Sequence, residues 1–166
     1  MMRHSWRWMQ WLALVLAVGA SAALAQAPEL TVKDAWARMP LAPQNNSAVY
    51  VTLENSGATA RSVVSVSTAD AERAELHETR MEGGMMRMAP TKEVSVPARG
   101  SAELKPGGYH VMLFGVKKAV KAGDHLDVAL KLNDGATVAV SATVRAADAA
   151  AGGMPSGSGR AMRGMN

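Results

Sequence analysis

The chain has 166 residues, a formal charge of +4 and no cysteine, a size that suits one domain with short extensions. The absence of thiols excludes a thiol nucleophile, a thiol redox couple and a blue-copper centre with its thiolate ligand. The charge is mild and scattered, about +2 once Arg3 and Arg7 leave with the leader, and it offers no footing for nucleic acid.

The leader is the first element. Arg3 and Arg7 precede an apolar run from Trp11 to Ala20, and Ala23-Leu24-Ala25 places small residues where a signal peptidase reads. Cleavage after Ala25 divides the chain into a signal peptide, 1–25, a folded domain, 26–147, and a tail, 148–166. The apolar run is short for a bilayer span, so no membrane span is expected once the signal is removed. The tail is rich in Gly, Ser and Ala and carries Met154, Met162 and Met165.

Within the domain, short β-branched runs recur between turn signals. Ser47 to Leu53, closed by Asn55-Ser56-Gly57, and Arg61 to Ser67 read as strands. Asp70 to Leu76 reads as a short helical turn. Val94 to Val96 and Ser101 to Leu104 flank Pro97-Ala98-Arg99-Gly100 as a hairpin. Tyr109 to Phe114 is a further strand, and Leu126 to Leu132 pairs with Thr137 to Val144 around Asn133-Asp134-Gly135. Many short strands with regular turns predict an all-β antiparallel sandwich or small barrel.

Methionine is the compositional outlier, with twelve residues beside two Tyr and one Phe. Alternation places His110 and Met112 on one face of their strand, an imidazole and a thioether aimed the same way. The Met85-Met86-Arg87-Met88 segment can offer sulfur from a neighbouring strand, and His77 ends the segment before it. Met86 and Met88 share a face, and alternation does not choose between them. Thioether sulfur is neutral, soft and polarizable; with neutral imidazole it suits Cu(I) and hardly suits Zn²⁺, Mg²⁺ or Ca²⁺. Two such ligand pairs carry no charge, which favours the lower oxidation state, and a thiolate acceptor would draw the ion away. Glu75, Glu78 and Glu82 crowd near His77 without a nucleophile, so acid–base catalysis is not indicated, although one of them could hold the free nitrogen of His77. A mature start at Gln26 also excludes a copper monooxygenase built on an N-terminal histidine. His125 reads as a solvated turn residue and Trp36 as a core anchor.

The spacing His77-x10-Met88-x21-His110-x-Met112 resembles the signature of the PCu(A)C family of periplasmic copper chaperones. Flanking segments agree in order: Ala35-Trp36-Ala37-Arg38, Glu75-Leu76-His77-Glu78, Gly84-Met85-Met86-Arg87-Met88, and Pro106-Gly107-Gly108-Tyr109-His110-Val111-Met112-Leu113. The resemblance spans about 30–144. It implies a cupredoxin-like or immunoglobulin-like β fold, no enzymatic activity, and Cu(I) held by His77, Met88, His110 and Met112. It further implies delivery for cytochrome oxidase copper-centre assembly, with an oxidase copper subunit or a Sco-type thiol protein as acceptor. A periplasmic copper buffer without a dedicated acceptor is the alternative. The chain departs from some members at Glu78, where they carry methionine, and in a tail that lacks histidine.

Overall fold

The computed structural model describes residues 29–146; the leader and the tail lie outside the described residues. Ten strands follow one another: β1 Leu30–Arg38, β2 Ser47–Asn55, β3 Arg61–Ser67, β4 Ala71–Glu82, β5 Met85–Pro90, β6 Val94–Val96, β7 Gly100–Leu104, β8 Tyr109–Val116, β9 His125–Leu132 and β10 Thr137–Arg145. Hydrogen bonding runs in the order β5-β4-β8-β2-β1-β10-β9-β3-β6, with β7 on β2. All the pairings are antiparallel except β1 with β10, which is parallel. The all-β expectation holds, as a sandwich in which the two halves of this path close on one core.

That core follows from alternation. Val49, Val51, Leu76, Val111 and Leu113 come from the β4-β8-β2 side; Val63, Val96, Leu126, Leu130, Leu132 and Val140 come from the other. Because successive residues of a strand point to opposite faces, burying Leu76, Val111 and Leu113 turns His77, His110 and Met112 to the outer face.

Three local expectations are corrected. Asp70 to Leu76 is not a helical turn: β4 runs extended through it and pairs with β8 from Ala71↔Val116 to Glu78↔Tyr109. The segments around Pro97 to Gly100 do not pair with each other. Val94–Val96 pairs with β3 and Gly100–Leu104 with β2, so the turn carries the chain between the two sides. Trp36 is half-buried on the outer face, its ring 4.4 Å from that of Tyr50, while its neighbour Ala37 is the buried residue. His125 opens β9 and is exposed, as read.

Candidate metal centre

Register brings the sequence-selected residues to one face. His77 lies directly opposite His110, and Glu75 opposite Met112, across β4 and β8. Thr79 lies opposite Met88 across β4 and β5. Directly opposed residues share a face, so His77, Met88, His110 and Met112 all project from the same side of the β5-β4-β8 strip. The imidazole rings stand 5.9 Å apart, centre to centre, tilted by 51°. Both are buried, His77 with 8% of its surface exposed and His110 with 2%. Phe114 stands 5.9 Å from His77 and Tyr50 6.1 Å from His110, so an aromatic ring flanks each imidazole.

Hydrogen bonding fixes the tautomer of each ring. The Nε2 of His77 donates to the Glu75 carboxylate at 3.0 Å, and the Nδ1 of His110 donates to the Gly108 carbonyl at 3.1 Å. Both partners are pure acceptors, so those nitrogens carry the protons. The remaining nitrogens, Nδ1 of His77 and Nε2 of His110, are buried bare lone pairs with no hydrogen-bond partner. Leaving a buried polar atom unsatisfied costs about 1–3 kcal/mol, and two on facing strands call for an explanation. A metal ion is one, because an orienting partner on the far nitrogen is what metal-ligating histidines have.

Electrostatics favour the neutral, ligating form of His110. Burial is the main cause that pushes the His110 imidazole below its ordinary value. The Gly108 carbonyl works against it, and the Arg38 charge, like a second proton on His77, adds to the lowering. The hydrogen bond from His77 holds the Glu75 carboxyl below the usual range, assisted by Arg73 and opposed by burial. Burial raises the Tyr50 phenol, with Arg38 opposing, so it stays protonated.

A cavity of ≈ 320 Å³ opens over His110, walled by Arg38, Tyr50, Thr79, Met86, Met88 and the Pro106-Gly107 turn. His77 and Met112 share the face but do not line that cavity; Met112 is half-buried between Glu75 and Ala48. Met86 and Met88 both reach it, so the structure leaves both thioethers available. Among the described residues, no three His, Asp or Glu side chains converge as a metal site, so a hard cation lacks its donor set. A second, polar cleft of ≈ 400 Å³ at Thr31, Glu54 and Arg99 holds neither imidazole nor thioether.

Sequence reasoning left open which acid serves His77, and it missed the Gly108 carbonyl and the Arg38 and Tyr50 walls. The spacing of Glu75 and His77, two apart on a strand, carried the signal; reading that stretch as a helical turn hid it.

Fold and site together define a small β-sandwich binding module whose outer face carries paired imidazoles beside thioethers. The chain belongs to the LpqE-like family: the family model described as "Putative lipoprotein LpqE-like" matches residues 30–144. "Putative lipoprotein Lxx21020" of Leifsonia xyli subsp. xyli is 32% identical over 121 residues, 72% of each chain. The solution structure of CuI-DR1885 from Deinococcus radiodurans is 35% identical, with a TM-score of 0.54 over 76% of this chain and 85% of that one. The copper-bound PCuAC domain from PmoF2, 21% identical, shares the fold with a TM-score of 0.60 over 72% of this chain and 94% of that one. These likenesses bear out the PCu(A)C resemblance.

Proposed function

We propose that this protein is a Cu(I) carrier that holds the ion through His77, Met88, His110 and Met112 and surrenders it to a thiolate-bearing acceptor. The observation that carries this reading is the pair of buried, bare imidazole nitrogens on two histidines directly opposed across β4 and β8, with thioethers on the same face. The CuI form of DR1885 supports the choice of ion. Cu(I) is cargo here. The site is uncharged, so it stabilises the monovalent ion, and methionine needs no deprotonation to bind. Release proceeds by ligand exchange: an acceptor thiolate displaces an exposed thioether first, and the buried imidazoles let go last. No electron moves. The lipoprotein names of the family and its relative support export, and we place the carrier in the periplasm after removal of residues 1–25. An oxidase copper subunit or a Sco-type thiol protein supplies the acceptor.

X-ray absorption on the Cu(I)-loaded chain tests the ligand set. The expected shell contains both sulfur and imidazole nitrogen; a shell of nitrogen and oxygen alone overturns it.

A further inference from the structure

The β4–β5 hairpin carries more sulfur than the carrier site uses. β4 is paired with β8 as far as Glu78↔Tyr109, and the buried Thr79 still donates its amide to the Gly108 carbonyl at 3.0 Å; beyond that β4 has β5 alone, so the stretch from Arg80 to Arg87 projects past the sheet. Glu82 pairs with Met85 across a two-residue turn in which Gly83 and Gly84 have φ of 60° and 80°. Positive φ at both central residues marks the tight turn that fixes a hairpin's register. Nothing lies within 4 Å of a side chain built at either glycine, so the tip stands in the open.

Register decides what the tip presents. Met81 is directly opposite Met86, and Met88 follows Met86 on the same face. Opposed Cβ atoms in such a ladder lie about 4.5–5.5 Å apart, within reach of two thioethers on one ion. Met81 is 64% exposed, Met86 67% and Met88 55%. The opposite face of the hairpin is charged and internally paired, with Arg87 bonded to Glu82 at 3.1 Å and Arg80 to Glu78 at 3.6 Å. The hairpin is thus two-sided: Met85 lies among the charges opposite Glu82, while Met81, Met86 and Met88 line the uncharged side from tip to cavity. Met86 is also a wall of the cavity over His110, which joins the outer pair to the inner site.

From this we infer that Met81 and Met86 form an outer, weaker soft-metal site that loads and unloads Cu(I) through Met88. This deepens the carrier reading and rests on it. Two neutral thioethers suit a monovalent d¹⁰ ion and no hard cation. With no imidazole in the outer pair, the ion is held more loosely there than between His77 and His110, so it moves inward on loading. Displacement by an acceptor then begins where the sulfur is most accessible.

The test is a titration of the full-length chain, labelled with ¹³C at the methionine methyls, with Ag(I) as a redox-inert stand-in. The first equivalent is expected to move the Met88 and Met112 methyls, and the second to move Met81 and Met86. In the Met81→Leu/Met86→Leu double variant, the second-equivalent uptake owed to the hairpin is lost, while the tail methionines, which remain, report their own binding separately. If Met88 and Met112 respond and Met81 and Met86 stay still through the second equivalent, the outer site is overturned and the carrier reading stands. If only Met81 and Met86 respond, the outer pair binds metal and the four-ligand reading falls. If none of the four responds, both fall.

Discussion

The two ends of the metal face are built on opposite physical terms. The β4–β8 floor holds its imidazoles buried, flanked by aromatic rings, with each tautomer set by an acceptor two residues earlier in the chain. The β4–β5 hairpin holds its thioethers exposed, on flexible unbranched side chains that no neighbour orients. A preorganised ligand loses little entropy on binding, whereas a solvated one must be ordered each time. Affinity therefore belongs to the floor and exchange to the hairpin. A carrier needs both, because a site made wholly of floor would not let go.

The largest break in that division comes from His110→Ala. Losing a proposed direct ligand is expected to cost Cu(I) affinity more than about a hundredfold, beyond the 10–100-fold typical of outer supporting groups. Competition with a Cu(I) chelator measures this, with circular dichroism to check that the variant keeps its β fold. An affinity loss equal to that of a single hairpin methionine variant would remove the distinction between the two regions. Glu75→Ala is the next step down. It leaves every proposed ligand in place and frees the Nε2 hydrogen of His77 together with the exposed Arg73 guanidinium. Affinity should fall about tenfold, the lower end for an outer-shell partner. The ¹⁵N shifts of the His77 ring should lose their bias toward an Nε2-bound proton, a change that simple loosening would not produce. Glu75→Gln keeps an acceptor oxygen and should recover part of both.

The floor was more legible in the sequence than its supports. Alternation through Tyr109 to Phe114 already aimed His110 and Met112 together, and β8 bears this out with Val111 and Leu113 buried beneath them. The start of β4 was not legible. Ala71, Glu72, Arg73, Ala74 and Glu75 have good helix propensity, and only pairing with β8 overrides it. β1 gives no clean alternation because a bulge between Lys33 and Trp36, with Asp34 at φ 50°, breaks its period. That bulge shifts register ahead of Trp36, which stacks on Tyr50 at the outer face and leaves Ala37 in the core. Alternation did not choose between Met86 and Met88, which share one face; the family spacing picks Met88, and the fold brings both to the cavity.

The smallest effect comes from stiffness at the hairpin tip, where Gly84→Ala sharpens the comparison. Gly84 has φ of 80°, and an L side chain in the left-handed region costs about 1–2 kcal/mol. The space is open, so the cost is conformational and not steric. It should fall on the hairpin alone, because β4 beyond Thr79 is tied only to β5. Amide hydrogen exchange from Arg80 to Arg87 should quicken by about tenfold, the equivalent of roughly 1.4 kcal/mol, while exchange in β8 stays as it was. Equilibrium Cu(I) affinity should hardly change, since the imidazoles are untouched. If exchange quickened equally in β8, hairpin and floor would be one cooperative unit, and separate roles in holding and releasing the ion would lose their structural basis.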